Sequence, residues 1–304
     1  MDVNVVYNTP YEMPLGYLIA TYFYLTGLSA GSFVISVIAT IGGKVEYKPF
    51  GKIGAVIAPI LLMLAPLTLI IDLEQPFRFW HLFLYLNMKS PITYGTFLLS
   101  AYPINGIIYA WYLFTGRDKT AKILGIIGIP LALATHGYTG FILALGKGRA
   151  LWSTALMPTL FIVSAMVSGI SLVILLAMIR NTYFQKDKTP AEVEKDDELI
   201  RSLAKFLAAF IIADLFLVFN DILVLLTSTE EALRVAKLIL FGEFAGEFLL
   251  VEIFFGGLVP LFIIFNSKLN KYKRNIVVAL VLTLIGVYSM RVVVVIAGQS
   301  LPLH

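Results

Sequence analysis

Eight apolar stretches, each long enough to cross a lipid bilayer, leave this chain few ways to fold. They run over about 16–41, 51–72, 91–115, 121–146, 154–180, 203–226, 244–266 and 275–298, and a spanning helix needs roughly 20 such residues. Composition agrees: 59% of the residues are hydrophobic and 14% charged, where soluble proteins carry about 25% charged residues. The expected fold is an all-α integral membrane protein of about eight transmembrane helices in two four-helix bundles. The first stretch follows Asp2 and Glu12 with no basic segment before it. It is too long for a cleaved signal peptide, so it is expected to remain as a helix.

Lys and Arg set the orientation. Sixteen lie in the odd-numbered connections: Lys44, Lys48, Lys52; Arg117, Lys119, Lys122; Arg180, Lys186, Lys188, Lys195, Arg201, Lys205; and Lys268, Lys271, Lys273, Arg274. The even connections hold six (Arg78, Lys89, Lys147, Arg149, Arg234, Lys237) and Arg291 lies inside the eighth stretch. Basic connections face the cytoplasm, so both termini are expected outside. The same clustering explains the net charge of +4 without nucleic acid. Residues 181–202 read as a polar cytoplasmic linker between 1–180 (four helices plus the fifth) and 203–304 (helices six to eight). The aromatic connection 73–90 is expected in the outer interface. Ser228 and Glu231 fit a capping box, which predicts a short amphipathic helix on the outer surface.

No cysteine is present, which excludes iron–sulfur ligation and thiol catalysis within the chain. Of His81, His136 and His304, only His136 lies deep in an apolar stretch, so a haem is not expected.

Ionisable groups at membrane depth are costly and therefore candidates for function. In the first half these are Tyr22 and Tyr24 in the first helix, Asp72 closing the second, and His136 and Tyr138 in the fourth. A rise of about 1.5 Å per residue puts them at one level near the outer side. In the second half Asp214, Asp221, Glu247, Glu252 and Arg291 form an acidic cluster around one cation, which suits a proton path. Structural readings stand beside these. The tyrosines fit an interfacial belt, His136 a helix–helix hydrogen bond, and Arg291 an ion pair with Glu252 or Asp221. Gly27 and Gly31 in GLSAG fit a close helix contact. Pro59, Pro66 and Pro130 predict kinks.

Five segments in order resemble the NrfD/PsrC type, the membrane subunits of polysulfide reductase and related complexes. They are YFYLTGLSAGSF in the first helix, DLEQPFRFW after the second, SPITYG opening the third, HGYTGFILALGKGRALW in the fourth and RVVVVIAGQ ending the eighth. The resemblance implies a quinone-binding anchor in the cell membrane with neither haem nor metal, binding a menaquinone-type or similar quinone near the outer face. It implies electron exchange with an extracytoplasmic iron–sulfur subunit that serves a molybdopterin catalytic subunit, as in anaerobic respiration. It maps the quinone-contacting tyrosine onto Tyr138. The family's first-helix histidine falls on Tyr22, a departure, since a phenol gives up its proton reluctantly at neutral pH. That raises His136, with Asp72, as the expected proton-exchanging pair, and places Arg78 near the quinone entrance and partner surface. A transporter of ions or small solutes using the acidic cluster is the alternative.

Overall fold

The structure, a computed structural model, describes residues 13–42, 45–183 and 189–301. Asp2, Glu12, Lys44, Lys186, Lys188 and His304, named above, lie outside them. All regular structure among the described residues is helical: α1 (Tyr17–Ile41), α2 (Lys48–Asp72), α3 (His81–Leu84), α4 (Pro91–Phe114), α5 (Asp118–Ala144), α6 (Met157–Tyr183), α7 (Pro190–Thr227), α8 (Glu230–Phe241), a π-helix (Gly246–Leu258) continued by α9 (Val259–Phe265), and α10 (Lys273–Ser300). Eight of these spans are long and apolar enough to cross a membrane, α9 completing the π-helix, and each matches one of the eight stretches. Their lipid-facing sides carry exposed Leu, Ile and Phe, while α1 and α6 are the most buried.

Small and hydroxylated residues bring the helices together, as expected where lipid removes the hydrophobic drive between them. Ser29, Ser36 and Thr40 follow one face of α1. Ser29 donates to the Ala58 carbonyl of α2 at 2.7 Å, and Ser36 donates to that of Gly51 at 2.5 Å. Two turns apart on α4, Tyr102 and Tyr109 reach the same serines, at 3.2 and 3.0 Å. On the other side of α1, Gly31 meets Gly169 of α6 backbone to backbone, and a Cβ on either would overlap main-chain atoms of the other helix. Gly31 thus does what the GLSAG pattern predicts. Gly27 instead makes room for the His136 ring.

Three expectations change. Most of the linker expected over 181–202 is helix. Thr189 and Glu192 form a reciprocal capping box, with Pro190 at the first helical position, so α7 starts far outside the apolar stretch. At 38 residues it is about 57 Å long, against a hydrocarbon core of about 30 Å. Its polar first turns are tied by Lys195–Glu46 (2.8 Å), Lys273–Asp197 (3.0 Å) and Tyr47–Ser202 (3.2 Å). Next, the amphipathic helix is present as α8, but Thr229 caps it by accepting from the Ala232 N–H, while Ser228 bonds back to the Val224 carbonyl. Finally, the seventh span winds as a π-helix through Leu258. At roughly 4.4 residues per turn, inward positions fall at Phe248, Glu252 and Gly256–Gly257. An α-helix starting from Phe248 would turn Val251 or Glu252 inward and then drift away from Gly256. Gly256 lies against Gly286 of α10.

Candidate functional site

His136 and Tyr138 are two residues apart on α5, so they point about 200° apart around its axis. One level of the bundle therefore holds two separate arrangements.

Tyr138 turns towards α4, where its ring lies over Gly95, the glycine that ends SPITYG. Tyr22 of α1 is buried and within electrostatic range of Tyr138. Among the described residues neither hydroxyl has a hydrogen-bond partner. Tyr22 is buried and Tyr138 half-buried, and two unpartnered phenol donors from neighbouring helices are suited to an outside carbonyl oxygen. Asp72 stands at the same end of the bundle, its Oδ1 3.9 Å from where a side chain on Gly16 would begin. Arg78 is exposed in the 73–90 connection. It lines a cleft of about 550 Å³ with Glu74, Phe79, His81 and Tyr85. No contact carries it to the two tyrosines.

His136 turns the other way and is fully buried. Its Nδ1 is 3.2 Å from the Thr26 hydroxyl of α1, and its Nε2 is 3.2 Å from Nη2 of Arg291 on α10. The same Nη2 donates to the Ser164 hydroxyl and to the Phe161 carbonyl of α6. The Phe161 ring stacks on His136, and the guanidinium carbon sits 3.9 Å from its centroid. Four helices meet here. Two sequence expectations are corrected. Arg291 forms no ion pair with Glu252 or Asp221, because no described carboxylate comes within 4.0 Å of it. The acidic cluster is also continuous with the His136 region rather than apart from it, because α10 packs on both α1 and α6.

Beyond Arg291, Asp214 and Glu252 line a cavity of about 20 Å³ with Gly256, Gly286 and Met290, room for one water. Asp214 Oδ1, Glu252 Oε2, and Nε and Nη1 of Arg291 are buried without a hydrogen-bond partner. Asp214 and Glu252 act electrostatically on Arg291, and Asp221, beside Thr154, acts on Glu252. Glu247 does not join them; its side chain is exposed, and only its carbonyl is used, accepting from Ser289. Phe161, Ser164 and Gly95 were not singled out from the sequence. The Ser164–Ser168–Gly169–Ser171 stripe was a readable signal for α6, while nothing local marks Phe161.

A family profile described as polysulphide reductase, NrfD, matches residues 5–302. The chain belongs to the NrfD family. Among its relatives, the Hdr-like menaquinol oxidoreductase integral membrane subunit of Archaeoglobus fulgidus is 30% identical, over 99% of this chain and 74% of that protein. A selenate reductase subunit of Mesobacillus selenatarsenatis is 28% identical, over 94% of this chain and 74% of its own length. A polysulfide reductase polypeptide of Wolinella succinogenes is 32% identical over 50% of this chain and 55% of its own length. With eight spans, the chain is a multi-pass integral membrane protein.

Gln299, Trp152 and Arg149, which close the eighth-helix and fourth-helix segments, hold the two ends of the described chain together. Gln299 is fully buried and clasps the backbone of Leu15, accepting from its N–H at 3.1 Å and donating to its carbonyl. The Trp152 indole donates to the Val294 carbonyl at 2.7 Å, and Arg149 donates to that of Leu301. Gln299→Ala is expected to lower stability by about 1–3 kcal/mol, the cost of stranding buried backbone groups. A thermal melt in detergent matching wild type would refute the clasp.

Proposed function

We propose that this chain is the quinone-reacting membrane subunit of an oxidoreductase complex. The observation that carries the reading is the pair of unpartnered phenol hydroxyls, Tyr22 on α1 and Tyr138 on α5, held at one end of an apolar bundle. They would hydrogen-bond the head group's carbonyl oxygens, with Gly95 keeping the space in which the Tyr138 ring lies. A menaquinone-type quinone supplies two-electron, two-proton chemistry when bound. The relatives' names, a menaquinol oxidoreductase subunit among them, support that class.

The basic connections face the cytoplasm in this reading, so both termini and the tyrosine pair face outward. α1, α2, α4 and α5 form the quinone-binding bundle, and α6, α7, the π-helix with α9, and α10 form the second. This places the division after α5 rather than in the segment before α7. The outward aromatic connection, with Phe77, Trp80, Phe83 and Tyr85 exposed, receives an iron–sulfur subunit that serves a molybdopterin catalytic subunit. Arg78 guides approach to the quinone entrance there, and Asp72 exchanges protons at that face. Asp214, Glu252 and Arg291, with Asp221 nearer the outer end, relay protons through the water-sized cavity. Glu247, exposed, would only feed that relay from outside.

Tyr138→Phe and Tyr22→Phe are each expected to raise the quinone KM of the assembled complex about tenfold, the worth of one hydrogen bond. Unchanged KM in both would sink the site. A purified chain that brings neither an iron–sulfur protein nor extractable quinone, yet moves ions into liposomes, would replace the proposal with the transporter reading.

A further inference from the structure

We infer that Arg291 fixes His136 as a neutral imidazole protonated on Nδ1, which makes His136 a positioning residue rather than the proton donor of the site. A guanidinium only donates hydrogen bonds. With Nη2 of Arg291 3.2 Å from His136 Nε2, that ring nitrogen must present its lone pair. The ring proton then sits on Nδ1 and is donated to the Thr26 oxygen at 3.2 Å. Thr26 in turn donates its own proton to the Phe23 carbonyl at 3.0 Å. The series Arg291 to His136 to Thr26 to Phe23 runs in one direction only. Its first member has no acceptor and its last has no donor, so the opposite tautomer would set two N–H groups against each other.

The surroundings leave His136 no easy second proton. From α1 it faces Thr26 and Gly27, from α6 Phe161, and from α10 Arg291. Arg291 is the one ionisable group acting on the ring. The Phe161 carbonyl is within reach of the ring, but it already accepts from the Ser164 hydroxyl at 3.0 Å and from Arg291 at 3.4 Å. A proton on Nε2 would place a second cation against the guanidinium, with no described carboxylate within 4.0 Å of Arg291 to offset it. His136 instead holds Arg291 in place and, through Thr26 one turn along α1 from Tyr22, holds the tyrosine-bearing face of that helix. The last consequence, that head-group protons pass through the tyrosine end and not through this imidazole, rests on the quinone reading. The tautomer does not.

Two measurements test this separately. In the full-length protein labelled with 15N-histidine in lipid, solid-state NMR between about pH 5 and 8 should show one histidine with a protonated Nδ1 and a bare Nε2 throughout. That signal should vanish in His136→Gln. An Nε2-protonated ring at this position, or one that titrates across the range, overturns the inference. In the assembled complex, His136→Gln keeps an acceptor for Arg291 and a donor for Thr26 but carries no titrating proton. It should retain quinone-coupled turnover within about threefold, while His136→Leu should lose about tenfold or more by stranding Arg291 and Thr26. A loss of about 100-fold in both variants is the signature of general acid–base catalysis and would overturn the positioning role. If the complex shows no quinone turnover at all, the functional reading fails while the wild-type NMR pattern still decides the tautomer.

Discussion

Gly169→Ala is expected to leave little correctly packed protein, and Gly169→Val essentially none. The Cβ at this position would overlap the Gly31 backbone, and one on Gly31 would overlap the Ala165 carbonyl. Overpacking a core usually costs about 1–3 kcal/mol because side chains yield. Here the obstacle is main chain, so α1 and α6 must separate along their length, and the cost belongs at or above that range. A total stability of about 5–15 kcal/mol leaves little margin. Separation would also pull Ser164 and Phe161 from Arg291, and His136 from α1. The measurement is size-exclusion of the detergent extract together with a thermal melt. Gly106→Ala is the control: its Cβ would meet Pro59 at an ordinary 3.6 Å, and alanine favours the helix by up to about 1 kcal/mol. Equal melting of Gly169→Ala and wild type would show that the two helices do not approach as closely as described.

Arg291→Met is expected to leave a folded protein whose quinone-coupled turnover falls about 100-fold or more. Two effects oppose each other in stability. Removing the guanidinium strands His136 Nε2, at about 1–3 kcal/mol, while the Phe161 carbonyl keeps the Ser164 hydroxyl at 3.0 Å. The substitution also removes a buried cation with no carboxylate in contact, whose desolvation cost disappears with it. The net stability change is therefore a small destabilisation, of about 1–3 kcal/mol. Turnover has no such compensation. Asp214 and Glu252 lose the one cation among the described residues that acts on them, and the proposed proton relay needs groups held in reach of one another, an arrangement worth about 10²–10⁴ in rate. Arg291→Lys should recover part of the rate, since it keeps the charge without the planar fork. The check is quinol-coupled turnover alongside a melt of the same complex. Full turnover in Arg291→Met would take Arg291 out of the relay.

Much of the candidate site was legible one helix at a time and misjoined between helices. Hydropathy separates lipid-facing from polar positions within a stretch, and so it found Tyr22, His136, Tyr138, Asp214, Glu252 and Arg291. It carries no azimuth between stretches. His136 and Tyr138 were pooled because they share a depth, yet the helix turns them to opposite neighbours. Arg291 was paired with carboxylates because charge alone argues for it, yet packing of α10 on α1 and α6 gives it a histidine, a serine and an aromatic face. Glu247 and Glu252 were grouped by sequence distance, and the π winding buries one and leaves the other outside.

What the sequence by itself determined is the number of spans and which stretch of the chain forms each. Backbone groups in lipid must bond within their own segment, which makes long apolar stretches helices whatever surrounds them. It also determined the small-residue contact at Gly31 and, through five ordered segments, the family. Only the tertiary structure decided which groups meet: Tyr138 over Gly95 with Tyr22 within electrostatic range, and Thr26, His136, Arg291 and Ser164 around Phe161. Those meetings depend on the rotation of each helix about its axis. That rotation is set by backbone approach at glycines such as Gly31 and Gly169 and Gly256 and Gly286, and no local pattern records it.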